Sequence, residues 1–335
     1  MTELLPWQHK EFDQFCKQAA LERHGHAWLL SGAEGIGKLS LVSHLARTLF
    51  CRQRQGNVPC GTCTDCHLFA AGTHPDWRLL QPEKKLITID QIREAIDYAS
   101  NMPQRTTFKI LCLEPAEAMN LNAANALLKL LEEPPPGTVL FLVSHQPGLL
   151  LATLRSRCQH LKLPLPPTAA GVAWLQAQGY SGDSAALLQK AQGAPLRALA
   201  MTETGLLAEH ELLLELVQEL LAGQATPVQA ARRCEKFSLR GSLDFLMHTL
   251  SQLLRSFQGD IALQDADLKE LRERLQSVGE DPRGVMALHV LYENMKTAGR
   301  AASSPNNPNP LLILETMFAD WCKLRPFLTP ARGRP

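Results

Sequence analysis

Apolar runs and amphipathic stretches alternate along the first half of the chain. Residues 27–30, 108–113 and 139–143 are predominantly apolar runs of strand length, whereas residues 38–50 and 89–98 carry apolar positions at helical spacing. Buried parallel strands have nearly continuous apolar sequences, and crossover helices join them. The pattern therefore predicts an α/β fold in which helices cover both faces of a parallel sheet.

Two further strands and one well-marked helix complete this half. Residues 76–80 and 160–163 are short strand candidates. Residues 119–133 form a leucine-rich helical pattern with Asn120 as its expected N-cap. Three prolines at residues 134–136 end this helix, because proline cannot continue it.

The strand pattern stops at a proline-rich linker, residues 163–167. Residues 168–205 predict two or three short helices, and the last third of the chain predicts helices only. Residues 243–257 follow the i, i+3, i+4, i+7 spacing of an amphipathic helix, with Ser242 as the expected cap.

Near the end of the chain, Asp281 and Asn309 each precede a proline and are expected to begin helices. Residues 303–310 predict a loop. Residues 328–335 predict a frayed tail.

Composition excludes some classes of function. The 335 residues are 45% hydrophobic, enough to bury a core, and their formal net charge is +1. A chain that coats nucleic acid by net charge alone is excluded, whereas a local basic face is not. No run reaches the ~18 apolar residues of a membrane helix, and the start lacks the features of a signal peptide. We expect a cytoplasmic protein without membrane contact.

Four of the nine cysteines lie in one segment, residues 51–66, which we call the cysteine loop. They are Cys51, Cys60, Cys63 and Cys66. Four thiolates at this spacing satisfy tetrahedral Zn²⁺ and leave no open position, so the spacing predicts a structural zinc site. Four unconnected thiols and an iron–sulfur cluster are the alternatives. His67 and His74 lie nearby but are not needed as ligands.

A second segment, residues 32–38, resembles a phosphate-binding loop, and we call it the glycine loop. Gly32, Gly37 and Lys38 match the G-x-x-x-x-G-K pattern, in which backbone N–H groups and the lysine hold phosphates. Leu39 stands where that pattern has the Mg²⁺-binding Ser or Thr. Lys38 keeps nucleotide binding open, but the missing hydroxyl argues against hydrolysis.

The acidic partner of such a loop is also altered. Glu114 follows the run 109–113 where a nucleotide-hydrolysing domain has Asp, and Pro115 follows where it has a water-polarising Glu. We therefore expect a phosphate-loop fold without ATP hydrolysis; a competent ATPase is the alternative.

Two groups of arginines border this predicted domain. Arg155 and Arg157 precede the strand at residues 160–163, and Arg197 follows Gly193-Ala194-Pro195. Arg155 and Arg157 can reach a phosphate on a neighbouring subunit, and Arg197 can face a nucleotide across the domain junction. The alternative for all three is that they face solvent, and spacing does not decide between these roles.

The order of short motifs carries a resemblance. After the cysteine loop come Thr73-His74-Pro75-Asp76, Ala124-Asn125-Ala126-Leu127-Leu128-Lys129, Leu131-Glu132-Glu133-Pro134-Pro135 and Ser156-Arg157-Cys158. From about residue 7 to residue 325 the chain resembles the AAA+ clamp-loader family of bacterial DNA polymerase III, and within it the delta-prime subunits. The resemblance implies an α/β AAA+ module with a zinc insertion (residues 1–164), a small helical lid (165–206) and an all-α collar (207–335).

The same resemblance implies a function. A delta-prime subunit is an ATP-independent stator in a five-membered ring with ATPase motor subunits and a delta subunit. The ring loads the sliding clamp onto primed DNA. The arginine of the Ser-Arg-Cys motif, here Arg157, reaches the ATP site of a neighbouring motor subunit. The chain alone is then expected to show neither ATPase nor polymerase activity, although it is a component of the polymerase holoenzyme. Two alternatives are an active AAA+ ATPase and a zinc-dependent nucleic-acid-binding module.

Overall fold

The computed structural model describes residues 4–20, 25–263, 265–302 and 309–328, and within them it contains five β-strands and sixteen α-helices. The strands are β1 (Ala27–Ser31), β2 (Trp77–Leu80), β3 (Lys109–Leu113), β4 (Thr138–Ser144) and β5 (Gln159–Lys162). The helices of the first half are α1 (His9–Ala20), α2 (Lys38–Phe50), α3 (Thr64–Ala70), α4 (Ile89–Ser100), α5 (Leu121–Glu132), α6 (Ala152–Arg155) and α7 (Thr168–Ala177).

The second half is helical throughout its described residues. Its helices are α8 (Ser184–Lys190), α9 (Pro195–Thr204), α10 (Leu206–Ala222), α11 (Pro227–Arg233), α12 (Leu239–Phe257), α13 (Ala266–Arg274), α14 (Gln276–Glu280), α15 (Pro282–Ala302) and α16 (Pro310–Cys322). The all-helical prediction for this part is confirmed, as are three short helices between residues 168 and 205.

The strands form one parallel sheet in the order β2-β3-β4-β1-β5. Successive residues of β1 face opposite sides of this sheet. Trp28 and Leu30 join an apolar cluster with α1, α2 and α3, whereas Ala27 and Leu29 join a second cluster with α4, α5 and α6. Both faces are therefore buried, which confirms the predicted architecture.

Local signals place several helix ends where the structure has them. Helix α2 spans the predicted residues 38–50. The side chain of Asn120 accepts a hydrogen bond from the N–H of Ala123 at 2.8 Å and caps α5 as predicted. Asn309 likewise caps α16, and the Asp281 carboxylate accepts the N–H of Arg283 at the start of α15.

The predicted cap of α12 is wrong. The helix begins at Leu239, and the Ser238 hydroxyl accepts the N–H of Gly241 at 3.2 Å. Ser242 lies inside the helix and is buried. The first turn precedes the regular apolar spacing, so the periodic pattern begins one turn later than the helix.

The chain divides into two compact units: Met1–Gly179 with Gly193–Arg197, and Tyr180–Gln192 with Ala198–Pro335. In the second unit, ion pairs and a hydrogen bond between side chains hold α8 in place. Lys190 lies 3.4 Å from Asp265 and 3.2 Å from Asp267, and Gln189 donates to Gln252 at 3.0 Å. The division into three domains at residues 164 and 206 stays a prediction.

The predicted loop lies outside the described residues except for its last two, and so does the tail after residue 328. Among the described helices, none combines the length and apolar character that crossing a membrane requires.

Candidate functional site

Polar residues follow the carboxyl ends of three strands of the sheet. The glycine loop follows β1, Glu114 follows β3 and His145 follows β4. These strands are parallel, so their carboxyl ends meet at the same edge, which is the usual location of ligand sites in such sheets.

The glycine loop has the backbone of a phosphate-binding loop. Gly35 and Gly37 have φ angles of +78° and +85°, a region that side chains rarely adopt, and Gly37 is the N-cap of α2. There is also no room for a side chain. A Cβ on Gly35 would overlap Arg197, and a Cβ on Gly37 would overlap Leu5.

Segments distant in sequence hold this loop through its carbonyl groups. The indole of Trp7 donates to the carbonyl of Ile36 at 3.0 Å, and the amide of Gln8 donates to that of Gly37 at 2.7 Å. The N–H of Leu196 donates to the carbonyl of Gly35 at 3.0 Å. Arg197, which the sequence left between a phosphate contact and solvent, lies with its backbone against the loop.

Lys38 is buried and turned back onto its own loop. Its ammonium group donates to the carbonyls of Gly32 at 2.9 Å and Ala33 at 2.5 Å. Burial lowers its pKa to about 8, and the nearby carboxylates of Glu114 and Glu117 oppose this change. The group that would reach a phosphate is thus engaged within the loop.

Two carboxylates, of Glu114 and Glu117, act on Lys38 beside the loop. Burial raises the pKa of Glu114, which accepts a hydrogen bond from Gln81 at 3.2 Å. Glu117, which sequence reasoning missed, accepts the N–H groups of His145 and Gln146 at 2.8 and 3.0 Å. Its position three residues after Glu114, in the turn that leaves β3, was the available signal.

Leu39 lacks a hydroxyl and half-buries its side chain against the apolar cluster of α1 and α2. At the end of β4, the Oγ of Ser144 and the Nδ1 of His145 are buried without a hydrogen-bond partner in the described part of the chain. Burial lowers the pKa of His145, and the positive charge of Lys38 acts in the same direction.

The four sulfur atoms of the cysteine loop form one cluster. All four, of Cys51, Cys60, Cys63 and Cys66, lie within 4.8 Å of one another. Cys51 is 3.5 Å from Cys60 and 4.0 Å from Cys63, sulfur to sulfur. Tetrahedral zinc–thiolate bonds of ~2.3 Å place sulfurs ~3.8 Å apart, so the cluster is the right size for one ion.

Backbone groups around the cluster favour thiolate. The N–H of Cys60 points at the Cys51 sulfur at 3.2 Å, and that of Cys63 points at the Cys60 sulfur at 3.3 Å. Hydrogen bonds from Thr62 and Cys63 lower the pKa of Cys60 to about 6, whereas burial raises that of Cys66 to about 12. His67 and His74 do not belong to the cluster.

A buried carboxylate connects the cysteine loop with the sheet. Asp65, 2% exposed, lies 2.6 Å from the Nε of Arg105 and 3.1 Å from that of Arg52. The ring of His74 stacks on Phe50 with centroids 4.1 Å apart, and its Nε2 lies 3.7 Å from Asp65.

The protonation of His74 follows from its contacts. Its Nδ1 accepts the N–H of Asp76 at 3.1 Å, and burial lowers its pKa. The ring is therefore neutral, with its proton on the Nε2 that faces Asp65. Asp76 in turn accepts the N–H groups of residues 104–106, which lead into β3.

Arg157 lies in the turn after α6, anchored by the buried Cys158. Its guanidinium is partly exposed, forms an ion pair with Glu132 at 2.7 Å and donates to the carbonyl of Thr153 at 3.1 Å. Arg155 is less exposed. Of the two arginines, Arg157 presents its charge more openly to solvent.

Comparison with known proteins gives consistent results. The family model described as "DNA polymerase III, delta subunit" matches residues 7–167. DNA polymerase III subunit delta' of Pseudomonas aeruginosa is 36% identical over 97% of this chain and 99% of its own length. The chain belongs to the delta-prime subunits of DNA polymerase III.

Other delta-prime subunits and one solved structure are also similar. The subunit of Escherichia coli K12 is 34% identical, covering 79% of this chain and 80% of its own length. A DNA polymerase III gamma subunit-related protein from Thermotoga maritima superposes with a TM-score of 0.44 and 18% identity, over 94% of this chain and 99% of that one. For this delta-prime chain, the family match at residues 7–167 includes the glycine loop, the cysteine loop and Arg157.

Proposed function

We propose that this delta-prime chain is the stator of a DNA polymerase III clamp loader in the cytoplasm. It stands in a five-membered ring with ATPase motor subunits and a delta subunit, and the ring places the sliding clamp on primed DNA. The AAA+ module (residues 1–164) and lid (165–206) carry the functional residues, and the collar (207–335) holds the ring together. Membership of the delta-prime family supports this assignment.

One observation favours a stator over a motor. Lys38 donates to two carbonyls of its own loop, and Leu39 offers no hydroxyl for Mg²⁺. A motor subunit needs a lysine directed at the outer phosphates and a hydroxyl on the metal. The loop keeps its shape while its chemistry is used internally, so this chain hydrolyses no ATP.

Arg157 acts on a neighbour instead. An exposed guanidinium in a short, well-anchored turn suits an arginine finger, which stabilises the charge that develops on the transferred phosphoryl group. In the ring, the phosphate replaces the weak surface pair with Glu132. Catalysis then takes place in the motor subunit, and this chain contributes one residue.

The cysteine loop holds structural Zn²⁺. Four thiolates at tetrahedral distances leave no position for water or substrate. The ion joins residues 51 and 66 and so fixes α3 and Asp65 against the sheet. It takes no part in ATP hydrolysis.

The test is ATP turnover by the reconstituted loader with clamp and primed DNA. Replacing Arg157→Ala is expected to lower turnover by ~10³-fold or more, because arginine fingers contribute ~10³–10⁵. Arg157→Lys is also expected to be slow, since an ammonium lacks the two-pronged guanidinium geometry. Arg93→Ala is the matched control: Arg93 is exposed and paired with Asp90 on α4, and its loss should leave turnover unchanged.

Assembly is measured for each variant by gel filtration, so that a lost complex is not mistaken for lost catalysis. Unchanged turnover in a fully assembled Arg157→Ala complex contradicts the role in trans. ATP hydrolysis by the isolated chain contradicts the stator assignment itself.

A further inference from the structure

A cavity of about 620 Å³ lies near the amino end of β3, whereas the glycine loop follows the carboxyl end of β1. It lies among the second halves of α1 and α2, the start of the cysteine loop and residues 105–108, which precede β3. The glycine loop adjoins the first residue of α2, and the cavity adjoins its last residue, Phe50. Twelve steps of 1.5 Å separate these ends by about 18 Å. The cavity is therefore separate from the residues proposed above to act on nucleotide.

The inner wall of the cavity is apolar. Phe15, Leu45 and Phe50 are buried beneath it, and the partly buried Leu49 and Phe108 complete the wall. A volume of this size lies within the ~300–1,000 Å³ typical of ligand pockets. It accommodates one or two large apolar side chains.

The rim of the cavity is positively charged. Arg52, Arg54 and Arg105 all line it. Asp65 pairs with Arg52 and Arg105 from below, so three guanidinium groups are offset by one buried carboxylate. Arg54 is exposed, and its charge lowers the pKa of the Cys16 thiol in the same cavity against the larger effect of burial.

One carboxylate on α1, that of Asp13, lies near the cavity. Asp13 raises the pKa of Cys16 and so lies close by, but it does not line the cavity. The groups that do line it, apart from the arginines and the thiols of Cys16 and Cys51, are hydroxyls, one amide and apolar side chains. The opening thus combines an apolar interior with a net positive edge.

We infer that this cavity binds an acidic peptide segment of a partner protein, with an apolar side chain inserted and flanking carboxylates on the arginines. Guanidinium groups match carboxylates in shape and charge, and an apolar anchor in a pocket supplies most of the affinity of such contacts. A single-stranded nucleic acid fits less well, because it needs a basic groove long enough to follow its backbone, whereas the charge here is confined to three arginines at one opening.

The probe is a fluorescein-labelled peptide, Glu-Asp-Leu-Phe-Asp-Glu, titrated with the zinc-loaded full-length chain and followed by anisotropy. Saturable binding is expected. It should weaken as salt rises, because salt screens the attraction between the arginines of the rim and the carboxylates of the peptide. Replacing Leu-Phe by Ala-Ala in the peptide should weaken binding more than tenfold. Replacing its acids by Gln and Asn should weaken it about fivefold or more.

Two protein variants test the two halves of the site independently. Arg54→Gln removes a rim charge and is expected to weaken binding about fivefold. Thr107→Trp fills the opening from an exposed position and is expected to abolish binding. Arg93→Gln, on the opposite face of the sheet, is the control and should bind as the wild type does. Circular dichroism and zinc content verify that each variant is folded.

Binding that both Arg54→Gln and Thr107→Trp leave unchanged would overturn the proposal, as would no saturation at 1 mM protein. Binding of a dT20 oligonucleotide that is tighter than that of the peptide in the wild type, and weakened in both variants, would assign the site to nucleic acid instead. The readout involves no ATP turnover, so its outcome is independent of the stator assignment.

Discussion

Helix α2 has a different loop at each end, and the two loops match their motifs in different respects. The glycine loop at its start keeps the backbone of a phosphate-binding loop, but its lysine and carbonyls are bonded within the chain. The cysteine loop at its end keeps every ligand of its motif, with four sulfurs within 4.8 Å of one another.

The difference shows what each motif requires. A phosphate-binding loop acts through several separate groups, so a hydroxyl can be lost while the fold survives on glycine geometry and carbonyl hydrogen bonds. A tetrahedral metal site contributes folding free energy only when its ligand set is complete. The fold of the first loop therefore depends on its backbone geometry, whereas that of the second depends on its complete set of four thiols.

The largest expected effect comes from the cysteine loop. Cys66→Ser removes a buried ligand, and structural zinc contributes ~10–16 kcal/mol to the folding of zinc-finger peptides. We expect the zinc content to fall below half an ion per chain and the melting temperature to fall by ~5 °C or more. Elemental analysis and calorimetry measure both.

Cys322→Ser is the control, since this half-buried cysteine lies outside the cluster. Full zinc content and an unchanged melting temperature in Cys66→Ser would remove the contrast between the two loops.

A smaller loss is expected from the carboxylate beneath the cysteine loop. Asp65→Asn removes the negative charge and one of the two acceptor oxygens that face Arg105 and Arg52, and hydrogen bonds to charged groups contribute ~1.5–3 kcal/mol. We expect the free energy of unfolding to fall by about 2 kcal/mol with zinc still bound. Denaturant titration measures this change.

Asp90→Asn, which removes the exposed partner of Arg93, should change stability by less than ~1 kcal/mol. Equal losses in both variants would mean that Asp65 supports the loop no more than a surface residue does.

The effect at the glycine loop is absent at neutral pH and appears only above about pH 8. The pKa of Lys38 is about 8 in the folded chain and 10.5 when unperturbed. Below pH 8 both states are charged, and the cost of burying the charge is present in full. Between pH 8 and 10.5 the unfolded chain binds more protons, so stability rises with pH.

Lys38→Met removes this titration. The stability of the wild type relative to Lys38→Met should therefore increase as pH rises from about 8 to 10.5. Lys129→Met, at an exposed position of α5, is the matched control for the substitution itself. A difference that stays constant with pH, measured by urea unfolding, contradicts a buried, charged Lys38.

Local signals were enough to predict the sheet, the α2 boundaries and the Asn120 cap, because each depends on a few neighbouring residues. The cysteine spacing predicted the cluster for the same reason. The wrong cap at Ser242 shows what apolar spacing cannot predict. The first turn of α12 has no regular apolar spacing, so the spacing does not mark where the helix begins.

Contacts between distant segments could not be predicted. The hydrogen bond of Gln8 to Gly37 joins positions 29 residues apart, and neither residue carries a pattern that points to the other. The direction of Lys38 also depends on which acceptors the fold supplies. The two carbonyls it contacts are invisible in sequence, because every residue has one.

The hydrogen bond from Leu196 to Gly35 has a consequence for biosynthesis. Residue 196 is translated 161 positions after residue 35, which takes about 8–32 s at ~5–20 residues per second. The four cysteines, by contrast, span only 16 positions. The four cysteines can therefore meet early in translation, whereas the glycine loop gains its bond to Leu196 only after the start of α9 has been made.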